Sequence, residues 1–181
     1  MCGAQVLGRI EAAWQAIDPV PDPEIPVLTL RDLGIVREVR LDAEGALEVV
    51  LTPTYSGCPA TEVISASVAE ALEAAGLAPF AVTLRRAPAW TTDWISEQGR
   101  QRLREYGIAP PGPVAAGEGV PVRLHRRASA SASAPAASAD PSCPRCDSPR
   151  TERLSAFGST ACKSLWRCLA CREPFEHFKP I

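Results

Sequence analysis

The stretch Leu47-Glu48-Val49-Val50-Leu51-Thr52-Pro53-Thr54-Tyr55-Ser56-Gly57-Cys58-Pro59 decides how the chain is read. Its first five residues put apolar side chains at 47, 49 and 51, the two-residue period of a half-buried strand. Beyond it, Ala60, Val63, Ile64, Val68, Ala71, Leu72 and Ala75 fall at helical spacing and stop at Gly76. One cysteine lies between strand and helix. If Pro59 is the first helical position, where a missing N–H costs nothing, Cys58 is the N-cap. A thiol there meets the positive end of the helix dipole and free backbone N–H groups, which favour the thiolate. Gly57 permits a sharp turn just before it. Cys58 is then either a small filler capping a helix or a reactive thiol, and spacing leaves both open.

Outward from that stretch, the preceding run Ile35–Leu41 reads as a second strand, and Asp42-Ala43-Glu44-Gly45 as the turn of a hairpin. Phe80, Val82 and Leu84 alternate as a third strand. Near the N-terminus Val6, Leu7, Ile10, Ala13, Trp14 and Ile17 define the apolar face of an amphipathic helix. Asp18-Pro19 ends it, because a residue preceding proline is pushed out of the helical region. The order α-β-β-α-β predicts an α+β fold of two layers, with the helices covering one sheet face. Prolines 19, 21, 23 and 26 stiffen a loop carrying Asp22-Pro23-Glu24-Ile25-Pro26. Such a loop fixes two carboxylates at low entropic cost, and it serves equally as a rigid solvated connector.

Pro88-Ala89-Trp90-Thr91-Thr92-Asp93-Trp94 precedes a polar helix through about Tyr106, capped by Thr91 or Thr92 and closed by Gly107. Its two tryptophans suit either a flap over the core or a surface for a partner. The chain then turns Pro/Gly-rich, with a short strand at Val120–Leu124. Ala128–Ser142, all Ala, Ser and Pro but for one Asp, cannot bury a core and reads as a flexible tether.

The last 39 residues carry the strongest motif: Cys143-Pro144-Arg145-Cys146 and Cys168-Leu169-Ala170-Cys171, separated by 21 residues. Two knuckles with four thiolates suit a closed structural zinc site, with iron-sulfur ligation as the competitor. A segment this short needs such a staple to fold. Cys162 is a further thiol, either a buried hydrophobe or a competing ligand. His125 and His177 stand alone, and no phosphate loop, dinucleotide fingerprint or Ser-His-Asp spacing occurs.

Composition sets bounds. A net charge of −2 and a pI near 5.8 argue against a general nucleic-acid binder. Residues 1–127 hold 12 Arg against 16 Asp and Glu, a net of −4, while 128–181 hold 7 cationic against 5 acidic residues, a net of +2. No apolar run is long enough to span a membrane, and Met1-Cys2-Gly3-Ala4 does not open like a secretory signal. Cysteines in Cys-x-x-Cys pairs fit a reducing compartment, so a cytoplasmic protein is expected.

Taken together, Asp22-Pro23-Glu24-Ile25-Pro26, Asp32-Leu33-Gly34 and Gly57-Cys58-Pro59 resemble the small domain shared by cytosolic iron-sulfur assembly factors and SufT-type proteins. Leu51–Ala60, Pro88–Trp94, Arg104–Pro111, Phe157-Gly158-Ser159-Thr160-Ala161-Cys162-Lys163 and the ribbon ending Glu173–Lys179 narrow the resemblance. Those stretches are similar to the PaaD (PaaJ) family, D-type accessory subunits of the bacterial phenylacetyl-CoA epoxidase system. The resemblance implies an iron-sulfur-assembly-type domain over residues 1–110, a linker over 111–142 and a four-cysteine zinc ribbon over 143–181. It further implies that Cys58 handles iron or a transient iron-sulfur cluster and that Asp22 and Glu24 line the same site. Cys143, Cys146, Cys168 and Cys171 would hold zinc. The expected partners are the epoxidase's reductase and oxygenase subunits, with homodimerisation left open. The expected role is cofactor maturation; the alternatives are a bridging subunit, or an enzyme using Cys58 as nucleophile and Asp22 or Glu24 as base.

Overall fold

A computed structural model describes residues 3–54, 60–113 and 140–181. The chain opens with α1 (Gly3–Ile17), whose Ala13 and Ile17 are fully buried while Ile10 and Trp14 pack beside them. Leu7, expected on the same face, is 68% exposed, so only the last turns of α1 reach the core. A hairpin follows, β1 (Val36–Leu41) and β2 (Leu47–Leu51), with Val39 paired to Val49 and Leu41 to Leu47. The chain then crosses over through α2 (Thr61–Ala74) to β3 (Phe80–Leu84), which pairs with β2 in parallel from Leu47↔Phe80 to Leu51↔Leu84. Strands joined through a helix can run parallel, whereas the short turn between β1 and β2 forces them antiparallel. On α2 the buried residues are Ile64, Val68 and Leu72, one turn apart. Val63 lies off that stripe and is half exposed.

The polar helix is built in two steps. Thr91 caps only a single 3-10 turn, Thr92–Trp94; Ser96 then caps α3 (Glu97–Tyr106) by accepting the Gly99 N–H at 2.9 Å. The cap is therefore not Thr91 or Thr92 but Ser96, because Ile95 is needed as a core residue between the two. Gly107 ends α3 at φ +95°, and a Cβ there would also strike the Arg145 guanidinium at 2.8 Å.

Two segments far apart in the sequence prove to be one unit. Asp32 is buried and its carboxylate accepts from the Thr29 N–H, the Ser96 hydroxyl and Arg102, the last at 2.5 Å. The Leu33 carbonyl accepts the Trp90 indole N–H at 2.8 Å. Gly34, at φ +65°, passes so close to Trp94 that a Cβ would meet its carbonyl oxygen at 2.8 Å. Asp32-Leu33-Gly34 is thus the seat of the Trp90–Trp94 segment. Trp90 belongs to the core at 3% exposure, while Trp94 is half-buried with the Arg37 guanidinium 3.5 Å over its ring.

The C-terminal segment forms an antiparallel meander, β5 (Thr151–Ser155), β6 (Lys163–Cys168) and β7 (Pro174–Phe178). It takes its fourth strand from the first part of the chain: β4 (Ile108–Ala109) pairs in parallel with Glu176 and His177. Phe178 stands 6.1 Å from Trp90, ring centre to ring centre, and is 1% exposed within the main core, as is Cys162 at 5%. The Thr92 N–H donates to the Ile181 carbonyl at 3.1 Å. A smaller cluster, Ala109, Cys143, Trp166, Cys168 and Phe175, fills the ribbon itself. Among the described residues no helix is long and apolar enough to cross a membrane. The strand expected at Val120–Leu124 and most of the tether, residues 128–139, fall outside the described residues.

Two outcomes follow from this packing. Trp90→Ala and Phe178→Ala should each lower stability by roughly 3–5 kcal/mol. Their double-mutant cycle should return a coupling of about 0.5–1.5 kcal/mol; zero coupling in urea unfolding would mean the ribbon is not docked on Trp90. The second concerns His177, which burial pushes down to about 4 from 6.5. Its folded form refuses a proton that the unfolded chain accepts, so stability is intact above pH 6.5 and falls as pH drops toward 4. Between pH 7 and 5 the loss should be about 2 kcal/mol, and His177→Gln should be that much less acid-sensitive. Identical pH profiles for the two chains would refute it.

Candidate functional site

The acidic loop is held by backbone pairing as well as by its prolines. Pro21 and Thr29 form a bridge, the Asp22 N–H donates to the Leu28 carbonyl at 2.8 Å, and the Leu30 N–H to the Val20 carbonyl at 3.0 Å. Ile25, Leu28 and Leu30 anchor it in the core. Asp22 is 6% exposed, and its Oδ1 accepts the N–H groups of Glu24 at 3.0 Å and Ile25 at 2.8 Å. Burial nevertheless pushes its carboxyl up, against the pull of the Ile25 and Glu24 N–H groups and of Lys163. Glu24, half-buried, is also pushed up, first by desolvation and then by Asp22, with Lys163 opposing. A buried and a half-buried carboxyl thus lie two residues apart on one turn, both with ionisation made costly by desolvation.

Backbone hydrogen bonds connect this loop to the end of β2. Leu30 donates to Val20, Ile35 to Leu30 at 3.0 Å, and Thr52 to Ile35 at 2.9 Å. Thr52 is buried at 2% and Ala60 at 8%. Residues 55–59, Cys58 among them, lie outside the described residues. Helix α2 itself starts later than a proline-first reading predicts. Its N-cap is Ala60, in helical geometry and without a side-chain cap. The cap expected of Cys58 falls outside the described residues.

The second centre is complete. The two knuckles are built alike: the Asp147 N–H donates to the Cys143 carbonyl and the Arg172 N–H to the Cys168 carbonyl. The Cys143 N–H reaches the Ser148 carbonyl as the Cys168 N–H reaches that of Glu173, both at 3.0 Å. Asp147 and Arg172, each just after the second cysteine of its pair, both take positive φ, 55° and 68°. The sulfurs of Cys143 and Cys171 stand 3.7 Å apart, those of Cys146 and Cys168 3.6 Å, and all four lie within 4.8 Å of one another. Sulfurs at about 2.3 Å from one tetrahedral ion are about 3.8 Å apart, so the group fits a single ion and is too tight to enclose a cluster. N–H groups of Cys171 and Ala170 bring the Cys168 thiol to about 6, while burial pushes Cys143 up.

Cys162 is not part of that group. Its sulfur is 3.0 Å from the Thr160 hydroxyl, and burial pushes its thiol up, with Glu24 adding to the effect. It sits instead beside the acidic loop, next to Lys163. No signal in the sequence marks this placement, since more than a hundred residues separate Glu24 from Lys163 and no local periodicity spans such a gap.

Residues 10–82 match the family described as iron-sulfur cluster assembly protein, and residues 127–179 the PaaD zinc beta ribbon domain. Over 173 residues the chain is 45% identical to a protein of Escherichia coli (strain K12) assigned as the D subunit of 1,2-phenylacetyl-CoA epoxidase; the match covers 96% of this chain and 94% of that one. An 85-residue stretch is 35% identical to the Fe-S protein maturation auxiliary factor of Porphyromonas gingivalis (strain ATCC BAA-308 / W83), covering 46% of this chain and 80% of that one. A crystal structure of the domain of unknown function DUF59 from Bacillus anthracis has a TM-score of 0.51 at 21% identity, over 56% of this chain and 97% of that one, which supports the fold alone. Since one match spans nearly the whole chain and takes in both the iron-sulfur-assembly-type domain and the zinc ribbon, the protein belongs to the PaaD family, the D-type subunits of phenylacetyl-CoA epoxidase.

Proposed function

We propose that the protein is an accessory subunit of a phenylacetyl-CoA epoxidase system, acting in the cytoplasm to mature the iron-sulfur or metal cofactor of its reductase and oxygenase partners. The observation that carries this reading is the acidic loop. Asp22 and Glu24 are pushed toward protonation on a backbone-pinned turn that hydrogen bonds tie to the segment leading into Cys58. Iron or a cluster is the cargo. Cys58 would supply the soft sulfur, and the two carboxylates would supply oxygen donors and negative charge. The relative of Porphyromonas gingivalis, named as a maturation auxiliary factor, matches across part of the chain and agrees with this assignment.

The four-sulfur centre is, in this reading, a structural zinc site. Its cysteines would hold the ion closed on all sides, supplying folding energy and no open coordination position. The alternative is a bridging subunit that joins reductase and oxygenase through the Trp90/Trp94 surface and the ribbon; Trp90 offers little to it, being spent inside the molecule against Phe178, whereas Trp94 is half-buried.

Elemental analysis of the purified chain should find one zinc. Cys146→Ser should abolish it and lower the unfolding midpoint of the whole chain, because Phe178 belongs to the main core. Iron with charge-transfer absorption in its place would overturn the zinc assignment. Cys58→Ser keeps side-chain size, so zinc content and melting should stay at wild-type values. Cells carrying it should accumulate reductase poor in its iron-sulfur cluster, with epoxidation restored by chemical reconstitution of that cluster. Wild-type growth on phenylacetate with full cluster occupancy would reject the maturation role. Failure to recover after reconstitution would favour a bridging subunit.

A further inference from the structure

The three-stranded sheet ends on one side in β3, Phe80-Ala81-Val82-Thr83-Leu84. This strand runs parallel to β2. At its start the Pro79 carbonyl accepts the Leu47 N–H at 3.1 Å, and at its end the Arg85 N–H donates to the Leu51 carbonyl at 2.8 Å. Those two bonds set the alternation between them. The backbone groups of Ala81 and Thr83 turn toward β2, and those of Phe80, Val82 and Leu84 turn away from it. Among the described residues no strand pairs with that outer side. Side chains cover it little: Ala81 is exposed, Leu84 is 46% exposed, and Phe80, Val82 and Thr83 are half-buried.

An open strand edge invites further pairing, and proteins guard such edges with charge, bulges or shortness. The other sheet edges of this chain carry those guards. Strand β1 bears Arg37, Glu38 and Arg40 and breaks register between Val36 and Glu38. Strand β5 bears Glu152 and Arg153 and breaks register between Arg153 and Ser155. Strand β4 is two residues long. Strand β3 alone is five residues in unbroken register with no charge and no proline.

The edge is also complementary to itself. Antiparallel pairing about a two-fold axis at Val82 sets Val82 opposite its own copy and Phe80 opposite Leu84. Those are the residues whose N–H and C=O groups turn outward, as the hydrogen-bonded pairs of an antiparallel ladder require. Between them Ala81 falls opposite Thr83, a small side chain against a small one. Phe80, Val82 and Leu84 share a sheet face with Leu47, Val49 and Leu51, so the half-exposed Phe80 and Leu84 would cover each other across the join. Charge agrees with the same direction. Arg85 and Arg86 follow β3 at one end, while exposed Glu70 and Glu73 stand in the last turns of α2, which leads into the other end. Antiparallel pairing brings the basic end of each copy to the acidic end of the other.

We propose that β3 is a dimer interface: its free edge pairs with β3 of a second copy of this chain, antiparallel about Val82, and joins the two small sheets into one. The interface is separate from the acidic loop and the four-sulfur centre, and it stands whether or not the maturation reading does.

The test is sedimentation of the full chain purified with zinc. A reversible monomer–dimer equilibrium is expected at about 10–300 µM, as suits an interface below the standard size. Leu84→Lys puts a charge on the join opposite Phe80 and should weaken the dimer about tenfold or more, with the monomer's circular dichroism unchanged. Register is read separately, by mixing Ala81→Cys chains with Thr83→Cys chains. Those positions face each other as a non-hydrogen-bonded pair, close enough for a disulfide, so mass mapping should find an 81–83 link between chains. Should Leu84→Lys fail to fold, the mixture decides the matter by itself. A chain that stays monomeric throughout that range would leave the edge to another protein's strand, and overturns the proposal. A dimer indifferent to Leu84→Lys, or a mixture without the 81–83 link, overturns it too.

Discussion

The indole of Trp90 is the contact on which the arrangement of the two halves depends. Its N–H is satisfied by the Leu33 carbonyl, and Phe178 of the last strand stands 6.1 Å from its ring. A tryptophan is one of the few side chains large enough to belong to two packing units at once, and its polar edge fixes which way it faces. Here the fixed edge points into Asp32-Leu33-Gly34 and the apolar body receives the ribbon. Removing the hydrogen bond would leave the Leu33 carbonyl buried without that donor. Removing the ring would leave Phe178 facing a void. The ribbon's position therefore depends on a segment that, in sequence, looks only like a helix preface.

What could be read from the sequence was whatever repeats or pairs locally. Alternation at 47, 49 and 51 marked β2, the spacing of Ile64, Val68 and Leu72 marked α2, and two Cys-x-x-Cys pairs marked the four-sulfur centre. Local signals failed where a tertiary contact chose between equal candidates. Leu7 and Val63 are as apolar as their neighbours, but among the described residues they stay 68% and 52% exposed. Thr91 caps as well as Ser96, yet Ile95 had to enter the core between them. Of the candidate site, Asp22 and Glu24 were legible from the prolines that hold them. The burial of Cys162 in the main core was not, because it exists only after β6 has docked, and nothing in residues 157–163 encodes a core built mostly from the first half of the chain.

The same geometry separates the chain's thiols by physical character. The Cys168 sulfur receives two backbone N–H groups and is brought to about 6, so it is ready to be a ligand at neutral pH. Cys162 receives one hydroxyl contact, and burial pushes its thiol up, as it does that of Cys143. A cysteine six residues from a ligand is kept out of the four-sulfur group by its position in the main core. The acidic loop shows the corresponding logic for oxygen donors: Asp22 gives one oxygen to two backbone N–H groups, which sets its orientation, while burial keeps the carboxyl reluctant to ionise.

These placements make metal binding in the ribbon and the docking of the ribbon on the main core parts of one equilibrium. Strand β6 begins at Lys163 and ends at Cys168, so the buried lysine that pairs with Glu176 and a sulfur of the four-cysteine centre are the two ends of a single six-residue strand. A metal ion on the sulfurs stabilises that strand, because in a ribbon this small the binding free energy is also folding free energy. Holding β6 in register with Phe178 and β7 is what keeps the Lys163 ammonium buried beside Glu176. Linkage then runs both ways: whatever favours the docked ribbon must, to the same extent, tighten the ribbon's hold on its metal. Two domains joined by a tether alone would show no such reciprocity. Two domains that share β4 and a core must show it.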